Sequence, residues 1–319
     1  MHTLYPTIKP YKCHELLVSE PHTLYIEETG NPNGIPVIGL HSGPGEGADA
    51  HLRRFFDPHI YRIILFDQRG CGRSTPHIEH QDNNTQNLLE DIDKIREYLE
   101  LSRFILFGGG WGSLLALLYA QLYPQQISTL LLHQIFLGRT KDTEWLYKRG
   151  ANLVFPDYWQ EFIDFAPREK QDNLPLYYAE CLQGGNELVR MSAAKNWALW
   201  QAHCNSLQAH LNMIDQYSDP HFALALACLQ THYIRHHYFI EENQIIANAH
   251  KIRHIPTYII HGRYDMICPL EGAWDLYQAL PASNLSIVRD AGHSDREIGI
   301  IDAIIDASKE ISRQGLDAC

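Results

Sequence analysis

The chain is short of positive charge. Twenty-six Lys and Arg stand against 38 Asp and Glu, a net charge of −12 over 319 residues. Such a surface repels nucleic acid and anionic membranes, which argues against both as partners, and otherwise serves solubility. No apolar stretch approaches the length of a membrane span, and Met1–Tyr11 holds no apolar run long enough for a secretory signal. The seven cysteines (Cys13, Cys71, Cys181, Cys204, Cys228, Cys268 and Cys319) stand singly, with no C-x-x-C pair. That pattern argues against zinc or dithiol chemistry, and the odd count against a full disulfide framework, so a cytoplasmic location is expected. Nineteen histidines are dispersed without metal-ligand spacing such as H-E-x-x-H, so neither metal nor cofactor is expected. Repeats and low-complexity segments are missing too. What remains is a globular chain, 45% apolar, long enough for one core of ordinary size with an inserted subdomain, or for two small domains.

Short apolar runs alternate with longer helical patterns. Residues 12–18 and 22–29 read as an antiparallel hairpin turning near Glu20-Pro21. Continuous apolar strands are expected at Pro36–His41, Tyr61–Asp67, Arg103–Gly108, Ile127–His133, Pro256–His261 and Leu285–Asp290. Unbroken apolar strands separated by helices indicate a parallel sheet covered on both faces. Asn84–Leu101 carries Leu88, Ile92, Ile95 and Leu99 at helical spacing, and Trp111–Tyr123 stops at Pro124. The rhythm breaks between residues 139 and 245, a Trp-, Tyr- and His-rich stretch that reads as helical. The expected organisation is therefore an α/β core of residues 1–138 and 246–319 with a helical cap, 139–245, inserted into it.

Three patterns fall at the C-terminal ends of expected strands, where open α/β sheets place their sites. His41-Ser42-Gly43-Pro44-Gly45 is a glycine-rich turn able to bring backbone N–H groups to a developing oxyanion. Gly108-Gly109-Gly110-Trp111-Gly112 is the frame of a nucleophile elbow, G-x-S-x-G, with glycine at its centre. Asp265 follows one strand and His293 another. The order nucleophile site, Asp, His is that of the α/β hydrolases. The expected fold is thus the α/β-hydrolase fold: a mostly parallel, twisted sheet flanked by helices, with an inserted helical cap.

The sequence resembles the proline iminopeptidases over roughly residues 5–310. Their motifs HGGPG, DQRGxGxSxPH, GGSWGSxLAL, HGRYDxxCP and GH correspond to His41–Gly45, Asp67–His77, Gly108–Ala116, His261–Pro269 and Gly292-His293. The likeness continues through Gly150–Trp159 and His237-Tyr238-Phe239. It implies release of N-terminal proline through a serine acyl-enzyme. It also implies Asp265 and His293 as acid and base, the N–H groups of Gly43 and Trp111 as oxyanion hole, and Phe136, Tyr147 and Cys268 as pocket lining. Ser113, one helical turn beyond the elbow, reads as structural.

The departures bear on activity. Gly110 stands where the family has its serine, and glycine forms no acyl-enzyme. The family's cap glutamates bind the substrate's amine. Matching on Trp197–Trp200 puts Gln201 at one of them, and matching on His237-Tyr238-Phe239 puts Arg235 at another. His133 replaces an arginine. Gly110 could be a single engineered or erroneous change, but three further departures favour natural divergence. The expected function is an impaired or inactive proline-iminopeptidase-like hydrolase taking a small peptide or small-molecule ligand. The alternatives are an active hydrolase of another small substrate using water activated by His293, and a non-catalytic binding or regulatory homologue.

Overall fold

A computed structural model describes residues 1–206 and 211–317. Eight strands form one sheet: β1 (Lys12–Ser19), β2 (His22–Gly30), β3 (Ile35–Leu40), β4 (Tyr61–Phe66), β5 (Phe104–Gly110), β6 (Ile127–Ile135), β7 (Thr257–Gly262) and β8 (Ser283–Val288). Among the core helices, α1 (Thr85–Tyr98) joins β4 to β5 and α2 (Trp111–Leu122) joins β5 to β6. Between β6 and β7 run α3 (Thr140–Tyr147), α4 (Pro156–Asp164), α5 (Leu174–Gln183), α6 (Glu187–Asn205), α7 (Leu211–Ser218), α8 (Pro220–Arg235) and α9 (Gln244–Ala247). The core closes with α10 (Leu270–Ala279) and α11 (Ile298–Asp317).

The strand order is β1-β2-β4-β3-β5-β6-β7-β8. β1 and β2 pair antiparallel, as does β2 with β4, and the other neighbours are parallel. The reason is visible in burial. Every residue of β5 and β7 is buried, because helices cover both faces of the sheet. α2 is buried almost all round, unlike α1, which buries one stripe at Leu88, Leu89, Ile92 and Ile95 and caps its first turn with Asn84.

β5 and β6 each run two residues past their expected ends, to Gly110 and Ile135. The extension includes a register shift: Gly109 pairs with His133, but Gly110 pairs with Ile135. Gln134 is the extra residue of this bulge, and its φ of +50° is uncommon for a residue with a side chain.

The helices between β6 and β7 bring their own apolar cluster, centred on Trp197, Trp200, Phe162 and Tyr178. Tyr233, Tyr238, Ile245, Ala249 and Ile252 pack on the core cluster instead. The DQRG segment is anchored by an ion pair with no solvent exposure: Arg69 donates to both carboxylate oxygens of Asp91 on α1, at 2.6 and 2.8 Å.

Candidate active site

β5 passes into α2 with no intervening residue. Gly110 takes φ +52° and ψ −122°, a conformation side chains rarely adopt. Its neighbours let strand and helix approach: a Cβ on Gly108 would lie 2.5 Å from the Gly112 carbonyl. Ser113 is fully buried. Its Oγ donates to the Gly110 carbonyl (2.7 Å) and accepts from the Phe136 N–H (3.1 Å), so it ties the elbow to the loop after β6.

Beside the elbow stand Asp265 and His293. His293 Nδ1 lies 2.9 Å from both carboxylate oxygens of Asp265, whose Oδ1 also accepts the N–H groups of Ile267 (3.0 Å) and Cys268 (2.7 Å). Burial alone would lift the Asp265 pKa, but His293 and these donors hold it below 3.8. Burial would likewise depress His293, but the Asp265 carboxylate outweighs it and holds the imidazole above 6.5. His293 and Ser294 donate their N–H groups to the carbonyl of Asn205, the last residue of α6. A cap helix thus helps to fix the base.

The backbone donors are arranged otherwise than the motifs suggest. The Trp111 N–H donates to the Ser42 carbonyl at 2.8 Å. The Ser42–Gly43 peptide is trans. Its N–H therefore points opposite to its C=O, and Gly43 N–H turns away from Trp111 N–H. The expected oxyanion pair, Gly43 and Trp111, does not converge. The same Ser42 oxygen would lie 2.7 Å from a Cβ built on Gly110. A carbonyl occupies the region where the family's serine and oxyanion belong. The loop is held there by a neutral histidine. Gln68 N–H donates to His41 Nε2 (3.1 Å), leaving Nδ1–H for the Gly43 carbonyl (2.9 Å), and burial holds His41 down at about 4.

A cavity of about 790 Å³ lies between core and cap. Gly110, Trp111, Phe136, Tyr147, Gln201, Cys268 and His293 all line it. Of the expected substrate-binding residues, Arg235 and His133 do not. Arg235 is exposed at the end of α8, with Nη1 3.5 Å from Gln183 Oε1. The side chain that faces Gln201 is Gln230, whose amide Nε2 donates to Gln201 Oε1 at 3.2 Å, while Gln201 donates back to it and to the Tyr147 hydroxyl (2.9 Å). Five residues separate Gln230 from Arg235, which turns the latter about 140° around the helix and out of the cavity. His133 is the second correction. It pairs with Gly109, stacks on Phe107 with ring centroids 5.2 Å apart, and is kept neutral by burial, at about 3. The bulge puts Gln134 in the cavity wall instead.

Sequence reasoning missed Glu46, Tyr217, Gln134 and Gln230. Glu46 follows the glycine turn without periodicity, and Gln201 and Gln230 meet only through the packing of α6 on α8.

The alpha/beta hydrolase fold family model matches residues 35–297. The proline iminopeptidase of Xylella fastidiosa is 44% identical over 97% of this chain and 99% of its own length. That of Arabidopsis thaliana is 43% identical over 97% and 82%. The chain belongs to the proline iminopeptidase family. Among solved structures, an esterase from Rhodococcus matches with a TM-score of 0.63 at 15% identity, covering 94% of this chain and 98% of that one. At that identity the likeness concerns the fold alone.

Two measurements check this site. Gly110→Ala places a Cβ on a backbone at positive φ and against the Ser42 carbonyl. It should lower stability by about 1–3 kcal/mol in urea unfolding. A neutral result would contradict the described elbow. The second is the His293 imidazole, whose NMR titration midpoint should lie above 6.5 in the native chain and fall in Asp265→Asn, where only the smaller effects of Glu46 and Asp295 still oppose burial. The corresponding stability is fully present between 3.8 and 6.5. It is lost as pH rises through the raised His293 value or falls through the lowered Asp265 value.

Proposed function

We propose that this member of the proline iminopeptidase family binds a small ligand between core and cap without forming an acyl-enzyme, and so has little or no aminopeptidase turnover. The observation that carries the reading is the Ser42 carbonyl, which accepts the Trp111 N–H beside a residue with no nucleophile. Two requirements of acyl transfer, an attacking atom and converging donors for the oxyanion, are absent together. Loss of a triad serine alone costs about 10⁶ in turnover.

The cap supports the same reading. The family's glutamates supply negative charge to the substrate's amine, whereas Gln201 and Gln230 are neutral and satisfy one another. Hydrolysis by water activated at His293 is the second reading, favoured by the complete Asp265–His293 pair. It suffers from the same unavailable oxyanion donors. No helix among the described residues is long and apolar enough to cross a membrane. Together with free cysteines among the described residues, this fits the cytoplasmic placement we favour.

The test is hydrolysis of proline p-nitroanilide by four proteins. The native chain should release no product above trace. Gly110→Ser should remain at least about a hundredfold below the combined Gly110→Ser, Ser42→Gly, Gln201→Glu and Gln230→Glu protein, because removing one member of a buried charge pair costs 2–5 kcal/mol or more. Gly110→Ser with Ser42→Gly should fall between them. Efficient cleavage by the native chain would overturn the proposal, and efficient cleavage by Gly110→Ser alone would reduce it to the loss of one serine.

A further inference from the structure

The core wall of the cavity is built of acceptors. Glu46 lines it beside the elbow, with its carboxyl resting on Gly43: a Cβ there would lie 2.7 Å from Glu46 Oε1. Burial pushes this carboxyl up to about 7, against the downward pull of the neighbouring His293 and the Tyr217 hydroxyl of α7. Asp295 lines the same wall two residues after His293. Other carboxylates of the cavity have their own cations: Asp67 holds Arg73 at 2.7 Å, Asp142 holds Arg139 at 2.9 Å, and Asp49 holds Arg296. Among the described residues, neither Glu46 nor Asp295 is ion-paired to Lys or Arg. The imidazole of His293 is held by Asp265 and also feels the charges of Glu46 and Asp295.

A second, independent observation points the same way. Gln134 and Asn205 both line the cavity and are 6% and 8% exposed. Each leaves its amide oxygen buried without a hydrogen-bond partner. The Gln134 oxygen lies over Gly109 beside the His133 ring, 2.5 Å from where a Cβ on Gly109 would be, so it belongs to the bulge and the orphan acceptor left at the cavity is that of Asn205. Buried acceptors of this kind call for a donor. Aromatic rings complete the enclosure, with Trp111, Phe136, Tyr147 and Tyr238 in its wall. Such faces attract cations.

We infer that the core wall, at Glu46 and Asp295 beside Gly110, binds the positively charged nitrogen of a small organic amine whose apolar body lies among the aromatic rings. This places the charge at Glu46 and Asp295 rather than at the Gln201–Gln230 pair. A site that in relatives meets developing negative charge here meets a cation. The inference rests on the reading that the cavity binds without acylating, and the probes below contain no bond to cleave, so it fails or stands independently of the turnover assay.

The experiment is isothermal titration of the full chain with cyclohexylammonium, cyclohexanol and cyclohexanecarboxylate, three probes of one shape and different charge. Cyclohexylammonium should bind at least about tenfold more tightly than cyclohexanol, since a hydrogen bond to a charged group is stronger than one between neutral groups. Glu46→Gln should remove about tenfold of the ammonium affinity and leave cyclohexanol unchanged. Asp295→Asn should act in the same sense, which guards against a folding defect in one variant, and circular dichroism melts verify both. Equal binding of ammonium and alcohol, preference for the carboxylate, or a Glu46→Gln loss shared by all three probes would each overturn the inference.

Discussion

The arrangement depends on one backbone hydrogen bond, from the Trp111 N–H to the Ser42 carbonyl. Trp111 opens α2, and the first N–H groups of a helix have no partner within it. In an acyl-transferring enzyme such an N–H is kept free for an oxyanion. Here a carbonyl takes it, and the planarity of the peptide turns the Gly43 N–H away. Gly110 makes this arrangement possible, since a side chain at that position would collide with the same oxygen. Missing nucleophile and occupied donor are therefore one structural fact seen from two residues.

Around that point the hydrolase frame is otherwise complete. The sheet delivers Asp265 and His293 from the ends of β7 and β8, and their mutual interaction outweighs the burial of both. The carbonyl of Asn205 ties the His293 loop to α6, so the cap is part of the site. Retention of a buried acid–base pair where no acyl-enzyme can form suits a polar binding surface. The excess of acceptors on the core wall defines what such a surface favours.

The strands and the order of the motifs were legible because continuous apolar runs and glycine turns carry local signals. β3, β4 and β7 fall within one residue of their expected ends. Legibility failed where geometry is not local. The bulge at Gln134 lengthens β5 and β6 and exchanges His133 for Gln134 in the cavity wall. The Tyr-Phe landmark at 238–239 suggested Arg235 at an amine-binding position, but the helix turn carries it outward and Gln230 takes the place. The peptide orientation at Ser42–Gly43 has no sequence period at all. Its one trace was the serine standing where the family motif has glycine.

The central claim is that the Trp111 N–H is already occupied, and backbone hydrogen exchange followed by NMR measures that directly in the native chain. The account predicts that the Trp111 amide is protected to the same degree as interior amides of β5 such as Leu106. Exchange at the fast rate of an unpartnered first-turn amide would mean that the oxyanion position is open, and would contradict it.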